Sequence, residues 1–147
     1  MPTMNFDSDE VAESWLLIRR RFEAEAGKTV PARDRAALRK LNLEQLSVLG
    51  RMPIEGIDES VAPERLALGE GRFGIVLEEM VAAGLIARRP AGPSTPAKLA
   101  FTEVGRRTRA TLDRMQRATL KAMMETIGPD RARQLVETLE SAFPQDT

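Results

Sequence analysis

Ser60-Val-Ala-Pro-Glu-Arg-Leu-Ala-Leu-Gly-Glu-Gly-Arg-Phe-Gly-Ile-Val-Leu-Glu-Glu-Met-Val-Ala-Ala-Gly84 is the stretch on which the fold turns, continued by Leu85-Ile-Ala-Arg-Arg-Pro90 and Lys98-Leu-Ala-Phe-Thr-Glu-Val-Gly-Arg-Arg107. Ser60 is a candidate N-cap for a short helix running to Leu68. Pro63 is tolerated there because it falls in the first turn, where backbone N–H groups have no intrahelical acceptor. Gly69 and Gly71 bracket a turn, and the following helix sets Phe73, Val76, Leu77 and Met80 three and four residues apart before Gly84 ends it. That spacing buries one face and turns Glu70, Arg72, Ile75, Glu78 and Glu79 outward. Leu85–Arg89 and Lys98–Thr102 read as short strands, and the span from Pro90 to Ala97 between them is rich in turn formers. Helix, turn, helix and hairpin in this order make a winged helix-turn-helix, which points first to DNA.

In such a unit the second helix enters the major groove with its N-terminal residues at base edges. Arg72 is then the candidate for a bidentate guanine contact, with Ile75 beside it, and Gly71 and Gly74 allow close backbone approach to phosphate. At the hairpin, Ser94 and Thr95 are candidate phosphate donors, with Arg88, Arg89 and Lys98 near the base of the loop. The bland alternatives are ordinary core for the apolar residues and a stiff, inert hairpin for the wing.

Outside this stretch the chain reads as helical. Asp7 or Ser8 can cap a first helix in which Val11, Trp15, Ile18 and Phe22 form a stripe to be buried, with Gly27 as a left-handed stop. The run Arg19-Arg-Arg21 reads as a solvated face rather than a nucleic-acid contact. Pro31 opens a second short helix through Lys40. Asn42-Leu-Glu-Gln45 has the form of a capping box for a third, which carries Leu43, Leu46, Val48 and Leu49 inward and closes at Pro53. A long helix is expected from Thr102, with Val104, Thr108, Leu112, Met115, Thr119 and Ala122 on one stripe and Leu120, Met123, Met124 and Ile127 on a second face, broken at Gly128-Pro129. A last helix to Phe143 lines up Leu135, Val136 and Leu139. These faces have little of their own domain to pack on and are expected to bury against each other, the first helix and a second chain. A two-fold dimer would hold two reading helices about one DNA turn, ~34 Å, apart and match a palindromic site.

Composition narrows the chemistry. The 147 residues suit one domain, and no run approaches the roughly 20 apolar residues of a membrane span. The acidic start, Met1 to Glu10, lacks the features of a secretory signal, so a cytoplasmic location is expected. With no Cys and no His there is no thiolate chemistry and no imidazole base or ligand. No phosphate loop or nucleophile elbow is visible, so neither an enzyme nor a bound cofactor or metal is expected. Net charge is zero, but residues 59–109 carry eight basic against six acidic side chains, a slight local excess on the winged segment.

Two segments are similar to the MarR family of bacterial winged-helix regulators. Glu79-Met-Val-Ala-Ala-Gly-Leu-Ile-Ala-Arg-Arg-Pro90 resembles the end of that family's recognition helix and first wing strand, and Leu99-Ala-Phe-Thr-Glu-Val-Gly-Arg106 resembles its second wing strand and the entry to its dimer helix. The resemblance runs over nearly the whole chain, 1–147, and implies residues 31–102 as the winged helix-turn-helix with 1–30 and 103–147 as a helical dimerisation region. It implies a homodimer on double-stranded promoter DNA, acting as a repressor and released by a small aromatic or phenolic effector. Trp15, Arg19, Phe22, Met52 and Met115 are the candidate effector-binding residues, with core and interface packing as their plainer role. Two departures stand out: Gly69-Glu-Gly-Arg72 replaces the Ser-Pro-Ser-Thr-type start of the recognition helix, and Pro93-Ser-Thr-Pro96 replaces an acidic, arginine-bearing wing tip. Together with Glu78 and Glu79 they keep open an alternative, in which the scaffold binds a protein partner and not DNA.

Overall fold

A computed structural model describes residues 8–143 of the chain, so the candidate cap Asp7 lies outside the described residues. The elements are α1 (Ser8–Gly27), α2 (Ala32–Arg39), α3 (Leu43–Arg51), β1 (Ile57–Asp58), α4 (Ala62–Arg65), α5 (Glu70–Ala82), β2 (Ile86–Arg89), β3 (Lys98–Phe101), α6 (Glu103–Ile127) and α7 (Pro129–Ala142). They form two compact units, one of residues 30–114 and one whose described part is residues 8–29 and 115–143. The fold is mainly α-helical with a small antiparallel sheet.

In the winged unit, α3 starts where its sequence says it should. The Asn42 side chain accepts from the Gln45 N–H at 2.9 Å and Gln45 Oε1 accepts from the Asn42 N–H at 3.0 Å, a complete capping box. Helix α5 ends in a Schellman motif: Gly84, at φ 75°, donates to the Val81 carbonyl and Leu85 donates to the Met80 carbonyl. Phe73, Val76, Leu77 and Met80 of α5 are buried with Val48, Leu49 and Met52, and with Leu66, Ile86, Leu99 and Phe101, in one apolar core. The sheet has the order β1-β3-β2, with Ile86 opposite Phe101, Arg89 opposite Lys98, and Ile57 opposite Leu99. Arg109 closes the other end of α3, its guanidinium donating to the carbonyls of Leu49 at 2.9 Å and Met52 at 2.6 Å.

The start of α6 is tied to the end of α5 through Thr102. Its hydroxyl donates to the Gly84 carbonyl at 2.5 Å and accepts from the Gly105 N–H, and its own N–H donates to the Leu85 carbonyl. Gly105 is required by close approach: a Cβ there would sit 2.0 Å from the Leu85 carbonyl oxygen.

Several expectations are corrected. Ser60 lies in a turn and caps nothing; α4 begins after Val61 and stops at Arg65, because Ala67 takes a left-handed conformation (φ 56°) and Leu68 donates back to the Pro63 carbonyl. The turn before α5 is therefore made by Ala67, while Gly69 is the N-cap and Gly71 is already helical. The wing gains a third strand, β1, too short to show any alternation. Gly27 is buried inside α1 and makes no left-handed stop. Leu43 points to solvent at 84% exposure, since the first residue of α3 precedes the buried face. The α1 stripe is not buried: Val11, Trp15 and Ile18 are exposed and Phe22 is only partly covered. Val104, at the foot of α6, is exposed too.

Candidate nucleic-acid interface

Helix α5 presents two unlike faces. One is sealed into the core by Phe73, Val76, Leu77 and Met80; the other exposes Gly71, Arg72, Gly74, Ile75, Glu78 and Glu79. A Cβ at Gly71 or Gly74 would meet nothing within 4 Å, so neither glycine is demanded by packing inside the chain. Their effect is to leave a strip of bare helical backbone around Ile75, which is half exposed. Such a strip admits a close neighbour, whether phosphate or another backbone.

The cations around this strip are already engaged. Arg72 is held by Glu44 of α3, Nε donating to Oε2 at 3.0 Å and Nη2 donating to Oε1. That hydrogen bond holds the Glu44 carboxyl below its usual range and raises Arg72 further. Arg88 bridges two carboxylates, with Nη1 donating to Glu78 at 2.6 Å and Nε to Glu59 at 3.0 Å, and these bonds raise it as well. Gln45 reaches from the capping box to Glu79, its Nε2 donating at 2.6 Å. The first turn of α3 therefore grips the flank of α5 at Arg72 and at Glu79.

The hairpin behaves differently. Arg89 and Lys98 face each other across β2 and β3, both exposed, and neither has an ion pair among the described residues. Two like charges directly opposite repel. Asp58 of β1, the neighbour of Lys98 on its other side, offsets part of that repulsion, and an anion beside Arg89 would relieve the rest. Ser94 and Thr95 are exposed in the loop beyond, where Thr95 donates to the Gly92 carbonyl. Thus the structure places Gly71, Arg72, Gly74 and Ile75 on one exposed helix face, and Arg88, Arg89, Ser94, Thr95 and Lys98 on the hairpin of the same unit.

The fold built this way has counterparts among solved structures. The chain is similar to a MarR-like transcriptional regulator from Thermotoga maritima, with a TM-score of 0.74 at 14% identity over 94% of this chain and 95% of that one. It is also similar to a MarR-family transcriptional regulator from Rhodococcus sp. RHA1 (TM-score 0.60, 22% identity, 97% and 99% covered) and to a MarR transcriptional regulator from Methanosarcina mazei Go1 (0.63, 16%, 94% and 90%). The chain has the MarR fold. No family model matches its sequence, and no curated protein does. Helix α5 is the second helix of the helix-turn-helix expected from sequence, and β2 and β3 form its hairpin.

The residues proposed from sequence for an effector are divided between the units. Met52 is fully buried in the winged core, where its carbonyl accepts from Arg109. Trp15, Arg19, Phe22 and Met115 belong to the helical unit, with Trp15 half exposed and Arg19 bonded to Glu23. The residues missed from sequence are Glu44, Gln45 and Glu59, the partners that hold α5 and Arg88. Only Gln45 carried a signal, as a member of the capping box. No helix among the described residues is long and apolar enough to cross a membrane.

Proposed function

We propose that the chain is a dimeric, sequence-specific DNA-binding transcriptional regulator, acting in the cytoplasm as a repressor whose promoter occupancy is modulated by a small aromatic or phenolic ligand. The observation that carries this reading is the exposed strip of α5, bare at Gly71 and Gly74, beside a hairpin whose Arg89 and Lys98 lie opposite each other and make no ion pair among the described residues. A helix packed on one side and stripped on the other is shaped to enter a groove, and unpaired hairpin cations suit flanking phosphates. The likeness to regulators of the MarR fold supports the same reading.

Dimerisation is supported by the apolar side chains left open on α1 and α7. Trp15 and Leu17 of α1 are exposed, as are Leu139 of α7 and Phe143 after it. Large apolar side chains left exposed are surface that a second chain could cover. A ligand would act only if it favoured one spacing of the two reading heads over another. Residues 1–30 and 103–147 are the proposed dimerisation region, and residues 31–102 the winged reading head.

One observation favours a second reading, a protein-interaction module on the same scaffold: Glu44 occupies Arg72, Glu59 and Glu78 occupy Arg88, and Glu79, held by Gln45, adds a further carboxylate on α5. Titrating the chain with fluorescent duplexes from its host's promoter regions at about 50 and 200 mM salt separates the two, because a phosphate-dependent binder loses affinity steeply over that range. Lys98→Ala is expected to weaken all duplexes alike, and Arg72→Ala to weaken discrimination among them. Absence of binding at the lower salt supports the interaction module.

A further inference from the structure

Arg72 is the third residue of α5 and Glu44 the second of α3, and the contact between them is made on one particular edge of the guanidinium. Glu44 takes the Nε hydrogen and one Nη2 hydrogen. A guanidinium has five N–H groups in a rigid fork. The parallel pair at its far end, one hydrogen on Nη1 and one on Nη2, has no protein partner among the described residues, and 57% of the side chain is exposed. That free pair has the geometry that matches O6 and N7 of guanine. A carboxylate seated on the far edge would compete with a base; one seated on the near edge leaves the base-matching edge open while restricting the long side chain. Restricting it beforehand reduces what must be ordered on binding.

The carboxylate is itself firmly placed. Glu44 lies in the first turn of α3, where the helix dipole favours a negative charge, between the two members of the capping box. Gln45 uses one end of its amide to cap α3 and the other to hold Glu79, seven residues beyond Arg72 on α5. Two contacts from one helical turn thus fix both Arg72 and the helix that carries it.

The geometry points to Glu44 as a positioning residue that holds Arg72 with its outer edge ready for a guanine in the major groove. This deepens the DNA-binding reading and rests on it. It also gives Glu44 two opposed effects, since its charge repels phosphates while its hydrogen bonds orient the reader. Removing the charge therefore raises affinity for unrelated sequence and lowers discrimination for the right base. A carboxylate that merely held the two helices together would produce neither change at unaltered stability.

The test uses the full chain and a randomised duplex pool, from which sequences are enriched at low salt. The wild type is expected to lose about tenfold in affinity when the guanine shared by the enriched duplexes is replaced by 7-deazaguanine, which lacks the N7 acceptor, and Arg72→Ala is expected to lose nothing. Glu44→Gln should show about threefold loss or less on the same replacement while binding an unrelated duplex about two- to threefold more tightly than the wild type. Glu44→Ala should repeat the pattern, with thermal melting of both variants matched to the wild type. If Glu44→Gln keeps the wild-type sensitivity to 7-deazaguanine, or gains affinity with discrimination intact, the positioning role is overturned and the regulator reading stands. Failure of every protein to enrich any duplex overturns both.

Discussion

In residues 30–114 the largest apolar side chains are sealed, with Leu49, Met52, Met80 and Phe101 at 1% exposure or less, whereas in residues 8–29 and 115–143 the fully covered apolar positions are the small Ala26 and Ala132. None of the large ones described in that second unit is fully covered: Phe22 is partly buried, while Trp15 is 49% exposed, Leu139 50% and Phe143 68%. One unit completes its core from its own sequence. The other has the amphipathic helices of a core but no interior for their larger residues, so its apolar surface is available for assembly. The same division separates the two kinds of sequence pattern, since inward spacing in α5 ends in burial and the equivalent spacing in α1 does not.

The comparison can be broken most sharply at its two phenylalanines. Phe101→Ala should destabilise the chain by about 3–5 kcal/mol in urea unfolding. Phe143→Ala should leave the concentration-independent part of stability nearly unchanged; a loss as large as that for Phe101 at high dilution would erase the distinction between the units. Next in size, Leu139→Asp should raise the dissociation constant of the proposed dimer about thirtyfold or more in sedimentation experiments while the winged unit keeps its fold. Arg109→Ala removes the donor to the Leu49 and Met52 carbonyls and should cost about 1.5–3 kcal/mol, read by thermal melting. Asn42→Ala removes half of the capping box and should cost about 1 kcal/mol.

The smallest expected effect is that of pH. Glu44 is held below its ordinary carboxyl range by Arg72, so the pair's contribution is present above the unfolded pKa and disappears only as pH falls through the lower folded value. Arg72 and Arg88 are raised, so their contributions disappear only in strong alkali, as pH climbs through the folded values. With no histidine or cysteine in the chain, melting temperature and DNA discrimination should stay flat between about pH 6 and 8. A marked slope in that window would mean that the reading face is organised by groups other than these ion pairs.

Legibility from sequence followed the range of the interaction. Asn42 to Gln45, Gly84 and Gly128-Pro129 act within a few residues of themselves, and their capping and stopping roles could be read directly. The buried face of α5 was equally plain, because helical periodicity reports it. Ile57 and Asp58 were not recognisable as a strand: two residues show no alternation, and their partners lie some forty positions away at Lys98 and Leu99. The left-handed turn at Ala67 was assigned to nearby glycines because alanine seldom takes that conformation. At the candidate interface, the exposed residues of α5 could be chosen from spacing, but their electrostatic state could not. Arg72 meets Glu44 across 28 residues and Arg88 meets Glu59 across 29, and no local pattern announces either pair.

Thr102 and Gly105 leave almost no play between the last turn of α5 and the first turn of α6, since one side chain bonds both and a carbonyl occupies the room a methyl would need. The joint works as a rigid elbow. Any rotation of that first turn of α6 must carry the end of α5 with it, so within residues 30–114 the two helix ends move as one unbending piece.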